Sequence, residues 1–592
     1  MSLLETLQRN GDLRPLDSAL AASLLRLRPG TAPLVAAAAA LASLAVARGH
    51  AAFDPARPEL LLADVADWPP LQDWIEALGN SPWVDCRDPA AMPTPAPPLP
   101  LVYEGGLVYL RRYREYERRL STRLAGLAAC SLPAAPRPLL EPVLEALFPA
   151  GASDPLQALA ARSALDRALL LVTGGPGTGK TTTIARLLVL LVAAADLGGE
   201  ATPRIALAAP TGRAAERMGG SLRRALEQLR ATPGIESGWL DALPEGAGTL
   251  HRLLGVRPGS TAFRHDVDHP LPYEVVVVDE ASMVDLPLMC KLAEAVPDGA
   301  RLVLLGDPDQ LPSVEAGDVL AAICRASGVP GDVPADTSRP ALHGHRVHLR
   351  RGYRQVESLD LEPLSDAIRA GDGDRVVGLL RSGGLRGVSF HEDARDPLAL
   401  DGGALVAHWR SLAALEDPSA GLAAIDQVRL LLATRHGPQG TRALNARIEQ
   451  ALAGPRASLH FHGRLLLVTE NSYRHRLFNG DVGICLRDAE GHIVAWFPGS
   501  DAEAPRAFHP AALPAHESAF AMTVHKAQGS EFDRVWFQLP ATDHRVLSRE
   551  LLYTAVTRAR RQLHLCASAD VLRAALARDV VRLSGLTARL NG

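Results

Sequence analysis

From Leu156 onward the chain alternates short, nearly unbroken aliphatic runs with longer stretches of helical periodicity. The first runs are Ala168–Val172, Arg204–Ala209, Glu274–Val278 and Arg301–Gly306; a second set follows at Val428–Thr434, Phe520–Val524, Arg534–Leu539 and Leu563–Ala567. A strand without polar alternation is buried on both faces, and such strands separated by helices build a parallel sheet covered on both sides. The pattern predicts an α/β chain with two sheets of this kind. Between Arg464 and about Pro514 the character changes to short strands and turns such as Asn479-Gly480-Asp481, which reads as a small β-barrel set into the second α/β unit.

The region ahead of the sheets is mainly helical, with runs at Leu16–Leu27 and Leu34–Arg48. A Pro-rich stretch, Pro93 to Pro100, reads as a stiff extended linker. Alternation over Leu101–Leu110, broken by Gly105-Gly106, predicts a hairpin, and Arg111–Leu127 returns to helix. The expected divisions are a docking unit at 1–130, α/β units at 150–352 and 353–592, and the barrel at 464–514. The longest apolar run, Leu34 to Ala47, falls short of the roughly 20 residues a membrane span needs, so a buried helix is expected.

A hydrophobic fraction of 47% and a charged fraction of 22% over 592 residues describe a globular chain with ample core. The formal net charge of −4 excludes a surface that attracts nucleic acid everywhere; any such partner needs a local basic groove. The six cysteines are scattered with no C-x-x-C pair, which points away from a zinc or iron–sulfur site and toward free thiols in a reducing cytoplasm. The N-terminus lacks the charged-then-apolar pattern of a signal peptide.

The chemistry centres on Gly174-Gly175-Pro176-Gly177-Thr178-Gly179-Lys180-Thr181, a full match to the phosphate-loop pattern, with a strand before it and a helical run after it. Its glycines let backbone N–H groups turn toward phosphate oxygens, and the following helix adds the positive end of its dipole. Lys180 is expected on the β- and γ-phosphates, the Thr181 hydroxyl on Mg²⁺, and Thr182 beside them. Asp279 and Glu280 end an apolar strand; after a phosphate loop, the first carboxylate belongs near Mg²⁺ and the second orients or deprotonates the attacking water. Gln310, in Gly306-Asp307-Pro308-Asp309-Gln310, ends another strand and can bond both a γ-phosphate and a water. Arg354 and Arg558 are candidates for a planar donor fork on developing phosphoryl charge, with Arg558 placed in a C-terminal helix. Thr211 and Arg213, Thr249 and His251, and Thr523, His525 and Lys526 offer donors suited to nucleic-acid phosphates. Glu531 follows in the last of these loops and is expected at the ribose. Aromatic residues make up only 4% of the chain, so few rings are left for base stacking; Tyr473 and Phe478 are candidates, equally readable as barrel core.

The order of these motifs resembles superfamily 1 helicases across residues 157–563. Gln157 falls where that superfamily has its adenine-reading glutamine. Gly174–Thr181 corresponds to motif I, Pro210–Arg213 to Ia, Asp279–Glu280 to II, Gly306–Gln310 to III, Arg354 to IV, His525–Glu531 to V and Tyr553–Arg558 to VI. The resemblance implies two RecA-like domains with ATP and Mg²⁺ between them and single-stranded DNA across both. Within the superfamily, Ala-Pro-Thr-Gly-Arg-Ala-Ala, Leu-Phe-Asn-Gly-Asp-Val-Gly, Tyr-Thr-Ala-Val-Thr-Arg-Ala-Arg and Tyr109-Leu110-Arg111-Arg112-Tyr113 are similar to the RecD family, alpha subunits of exodeoxyribonuclease V. That implies a cytoplasmic 5′-to-3′ DNA helicase subunit, docked through its N-terminal unit onto a RecC-like subunit beside a RecB-like nuclease. Such a heterotrimer acts on DNA ends in double-strand break repair by homologous recombination. No nuclease site is expected in this chain itself. Two alternatives stay open at this point: a nucleotide-gated scaffold that does not translocate, and the helicase part of a conjugative relaxase. The relaxase needs a His-rich metal triad in the leader, where residues 1–130 hold a single histidine, His50.

Overall fold

Three helices open the chain, Leu3–Asn10, Pro15–Leu27 and Pro33–Ala47. The third is Ala-rich, so neighbours approach its backbone closely, and Val35 to Ala42 have no exposed surface. This computed structural model describes residues 2–592 except 64, 66, 87–97, 150–153, 258, 329–340, 353–357, 456–457, 473 and 500–503. Most of the Pro-rich linker therefore lies outside the described residues. The expected hairpin is present. β1 (Val84–Cys86) runs parallel to β2 (Leu101–Glu104), which pairs antiparallel with β3 (Leu107–Leu110). Glu104 sits opposite Leu107, leaving Gly105 and Gly106 as a two-residue turn with φ of +57° and +79°. A turn left-handed at both central residues matches the twist of its strands and needs glycine or a small polar residue there.

The first large sheet holds β4 (Leu169–Gly174), β5 (Ile205–Ala209), β6 (Gly248–Thr249), β7 (Val275–Val278), β8 (Arg301–Gly306) and β9 (Arg346–Leu349). Their order is β6-β5-β7-β8-β4-β9 and every neighbouring pair is parallel. The second sheet begins with β10 (Val388–Glu392) and β11 (Val428–Leu432). The chain then leaves it for β12 (Leu465–Val468), β13 (Val482–Arg487), β14 (Ile493–Phe497), β15 (Arg506–Phe508) and β16 (His516–Ser518). It returns with β17 (Ala521–Thr523), β18 (Phe532–Gln538) and β19 (Ala559–Ala567), giving the parallel order β10-β19-β18-β11-β17. β9 and β10 escape sequence reading because both are sheet edges. There Arg346, His348 and His391 are half-buried and Ser389 is exposed, which breaks the aliphatic run.

The inserted strands pair antiparallel in the order β15-β14-β13-β12-β16, an open sequence in which β15 and β16 do not pair with each other among the described residues. Where a barrel is expected, the described residues thus form a five-stranded sheet that extends past Pro514 to Ser518. Its β12 alternates sides, Leu465 and Leu467 joining the core of the second parallel sheet while Leu466 and Val468 build a smaller core with Cys485 and Phe497. Both faces are covered, so β12 reads as the unbroken run Leu-Leu-Leu-Val.

The N-terminal region does not stand apart. Helix Arg111–Ala129 lays Tyr116, Leu120, Leu124 and Leu127 into the core of the first sheet. Arg119 donates to Glu294 at 2.6 Å and Arg123 pairs with Asp298 at 2.5 Å. The last helix, Leu586–Asn591, closes the seam: Leu586 and Leu590 enter the same core, Arg589 pairs with Glu104 and Glu117, and Ser584 donates to Glu117. Among the described residues no helix is long and apolar enough to cross a membrane.

Candidate functional site

The phosphate loop leaves the end of β4, an interior strand flanked by β8 and β9. Gly177 and Gly179 have φ of +79° and +81°, so the loop curls through conformations that cost an L side chain dearly. Thr178 Oγ1 donates to the Gly175 carbonyl at 2.8 Å and braces the curl from within. Helix Lys180–Leu197 starts inside the loop motif itself, so Lys180 and Thr181 belong to its first turn. Lys180 Nζ donates to the carbonyls of Gly174 at 2.7 Å and Gly175 at 2.9 Å, which holds the ammonium across the loop. Gln157 is buried and donates to the Thr178 carbonyl at 3.5 Å.

Beyond the loop lies a cavity of about 460 Å³. Gln157, Pro176, Gly177, Gly179, Lys180, Thr181, Thr182, Asp279, Glu280 and Gln310 line it from the first sheet, and Glu531 and Arg558 from the second. Gly174, Gly175 and Thr178 stand behind this wall rather than in it. Arg558 is fully buried; it is not in the helix, which ends at Val556, but in the turn that leads into β19. Its Nε donates to the Thr554 carbonyl at 3.1 Å and its Nη1 to that of Ser530 at 3.3 Å, which fixes the fork's direction better than a free helical side chain would be. Arg354 and Tyr473 lie outside the described residues.

The acidic pair ends β7. Glu280 sits at φ +52°, a left-handed position rare for a residue with a side chain, and its N–H donates to Asp279 Oδ1 at 2.8 Å. Burial, and then the charge of Glu280, push the Asp279 carboxyl above its ordinary range, while Arg217 and Lys180 pull it down. Two adjacent carboxylates under that pressure suit a divalent cation, and Thr181 and Asp279 both face the cavity where one would sit.

Arg217 is a residue that motif reading passes over. It lies on helix Gly212–Arg230 of the first sheet, with Nη2 at 3.1 Å from Glu531 and 3.9 Å from Glu280, and Nη1 donating to the Gly529 carbonyl. Burial opposes its charge, yet Glu531, Glu280 and Asp279 together raise its pKa above the ordinary value. Arg217, Ser221, Arg224 and Gln228 all line the cavity. That spacing is one helix face, a signal present in the sequence.

A second network ties the two sheets. Gln310 Nε2 donates to Asp307 Oδ2 at 3.1 Å, and Tyr553 OH donates to the same oxygen at 3.0 Å. The Leu311 N–H donates to Thr554 Oγ1 at 2.8 Å, and Gln528 Nε2 donates to the Leu311 carbonyl at 2.8 Å. The loop after β8 is thereby bonded to helix Arg549–Val556 and to the loop after β17.

Thr249 and Thr523 end β6 and β17, and Thr211 lies two residues past β5; each accepts from a backbone N–H of the helical turn it opens: those of Arg252, Lys526 and Ala214 respectively. A Cβ at Gly529 would lie 3.4 Å from Ala214 and 3.8 Å from Thr211, and one at Gly212 would lie 3.8 Å from Phe478. The first sheet, the second sheet and the inserted sheet therefore meet beside Thr211. Arg213 donates to Ser530 Oγ at 3.0 Å, and Lys526 pairs with Glu517 at 2.6 Å, so both candidate cations already have protein partners. His251 packs edge-on against Phe263, and burial lowers the His525 pKa, leaving a neutral donor.

Residues 157–316 match the AAA domain family, 518–566 the UvrD-like helicase C-terminal domain, and 9–109 the N-terminal domain of the RecBCD enzyme subunit RecD. The RecBCD enzyme subunit RecD of Mycobacterium tuberculosis (strain ATCC 25618 / H37Rv) is 43% identical over 535 residues, 89% of this chain and 86% of that protein. The protein of the same name from Mycolicibacterium smegmatis is 38% identical over 602 residues, 100% of this chain and 99% of its own. The ATP-dependent RecD2 DNA helicase of Deinococcus radiodurans is 32% identical over 422 residues, 69% of this chain and 48% of its own.

Proposed function

The chain belongs to the RecD family, and from that premise we propose that it is the ATP-driven helicase subunit of a RecBCD-type helicase–nuclease, moving 5′ to 3′ on single-stranded DNA. The observation that carries this reading is the single cavity in which Lys180, Thr181, Asp279, Glu280 and Gln310 of the first sheet face Glu531 and Arg558 of the second. A triphosphate bound there touches both sheets, so its hydrolysis changes how they hold each other.

In the proposed cycle Lys180 exchanges its bonds to the Gly174 and Gly175 carbonyls for phosphate oxygens, and Gln157 reads the adenine. Thr181 and Asp279 would hold Mg²⁺, which supplies charge neutralisation on the transferring phosphoryl group. Glu280 takes the proton of the attacking water. Arg558, anchored through Thr554 and Ser530, meets the charge that develops on the γ-phosphoryl, and Arg354 is assigned the matching role from the segment between the sheets. Gln310 reports the γ-phosphate through Asp307 and Tyr553, so loss of phosphate loosens the bond network between the sheets. Thr211, Arg213, Thr249 and His251 on one side, and Thr523, His525 and Lys526 on the other, grip the DNA backbone alternately and without sequence preference. Phe478, whose ring lies near Gly212, stacks on a base in this reading. In this reading residues 1–130 are a docking unit facing RecC-like and RecB-like partners, 150–352 and 353–592 are two motor domains, and 464–514 is an inserted module with a small barrel-like fold.

The test is ATP hydrolysis by the purified chain with and without single-stranded DNA. Wild type is expected to show DNA-stimulated turnover. Lys180→Gln should lose it while DNA affinity stays within a few-fold; unchanged turnover in that variant rules out this cavity as the site.

A further inference from the structure

Away from the nucleotide cavity, three metal-ligating side chains converge on the edge of the second sheet. His391 lies on β10, His564 on β19, and Asp401 in the turn just ahead of helix Ala404–Leu412. His391 Nε2 is 3.1 Å from His564 Nδ1, and Asp401 Oδ2 is 3.6 Å from the same nitrogen. All three donor atoms lie within 4.8 Å of one another. Tetrahedral zinc with bonds of about 2.0–2.1 Å keeps its donors about 3.3 Å apart, so both measured edges bracket what such an ion needs.

The surroundings are built rather than accidental. The His564 ring lies flat on Trp536 of β18, centroids 3.9 Å apart and planes within 6°, and His391 extends the same layer at 14° to the indole. The rings are thus held with their nitrogens toward Asp401. Asp401 itself takes the left-handed φ of +50°, followed by Gly402 and Gly403 at +66° and +80°, a backbone path that returns the carboxylate to the sheet edge. Asp401 and His564 line a cavity of about 220 Å³, with room for a water as fourth ligand. The helicase cycle described above uses none of these residues.

We propose that His391, His564 and Asp401 bind a borderline transition-metal dication of the Zn²⁺ class, with water completing the shell. Two imidazoles and one carboxylate favour Zn²⁺, Co²⁺ or Cu²⁺ over Mg²⁺, which prefers all-oxygen shells. The ion takes the place of the hydrogen shared between the rings, which moves to the far nitrogen of the ring that carried it; His564 then holds its N–H on Nε2 and His391 on Nδ1, and no net proton is released. Once bound, the metal ties β10, β19 and the turn before helix Ala404–Leu412 to one another. Its role is structural, distinct from the cation of the nucleotide cavity.

Cobalt is the probe, titrated into the chelator-treated full chain. One equivalent should give a visible absorption band and quench part of the tryptophan emission, because Trp536 lies against a ligand; Trp536→Phe should remove that part of the quench. Asp401→Asn and His391→Gln should each weaken binding at least ten-fold. Asp401 is half exposed, so its variant keeps the metal-free thermal midpoint of wild type and separates lost ligation from lost folding. Neither band nor quench up to millimolar Co²⁺, or a band that survives both substitutions, overturns the proposal.

Discussion

Arg558 makes the sharpest claim among single residues. Its guanidinium is buried and bonded to two carbonyls, so it points into the cavity with little freedom left to lose. If it meets transition-state charge, Arg558→Ala should lower turnover roughly 10³-fold while leaving ATP binding nearly intact; steady-state kinetics separating kcat from KM checks this, and a two-fold effect would reduce Arg558 to an anchor between loops. Arg217 carries a different expectation. Because it touches Glu531 and faces Glu280, the variants Arg217→Met and Glu531→Gln should not add. A double-mutant cycle on kcat/KM is expected to give a coupling of about 1–3 kcal/mol, whereas additive effects would mean the ion pair is idle. The sequence marks Lys180, Asp279, Glu280 and Gln310 because each lies in a segment that leaves the end of an aliphatic strand, within a motif of known chemistry. Arg217 stands mid-helix, where an arginine usually faces solvent; its helix face is legible in the spacing, but its partners Gly529 and Glu531 come from the second α/β unit, far along the chain.

At the scale of elements, the seam between chain ends matters most. His50 follows the buried helix Pro33–Ala47, and its Nδ1 accepts from the Leu583 N–H at 3.0 Å, joining the N-terminal region to the C-terminal segment. Burial, with Arg582 and Arg48 nearby, pushes its pKa down to about 4 from 6.5. The unfolded chain therefore binds a proton that the folded one refuses. The stability that goes with a neutral buried imidazole is fully present above pH 6.5 and is lost as pH falls toward 4, a penalty on the order of 3 kcal/mol. Denaturant midpoints at pH 7.5 and 5 should fall further apart in wild type than in His50→Gln; equal separations would contradict the assignment. Elements buried on both faces, such as β4, β7 and β8, were legible because their aliphatic runs admit no other placement. The edge strands β9 and β10 were not, since polar residues interrupt each run, and the seam was invisible because Glu117 and Arg589 lie at opposite ends of the chain.

For the whole molecule, the bonds from the Gln310 loop to helix Arg549–Val556 predict that the two sheets respond to nucleotide as coupled bodies. A scaffold needs only to bind nucleotide; a motor must convert each hydrolysis into displacement along DNA. The described side chains that face one another across the cavity, Lys180, Asp279, Glu280 and Gln310 opposite Glu531 and Arg558, argue for conversion. The most direct measurement is ATP-driven removal of streptavidin from single-stranded DNA biotinylated at one end or the other. The proposed motor clears the 3′ end, faster than spontaneous release, and Lys180→Gln clears neither. DNA-stimulated ATP hydrolysis by wild type with no displacement from either end would contradict translocation and leave a nucleotide-gated scaffold.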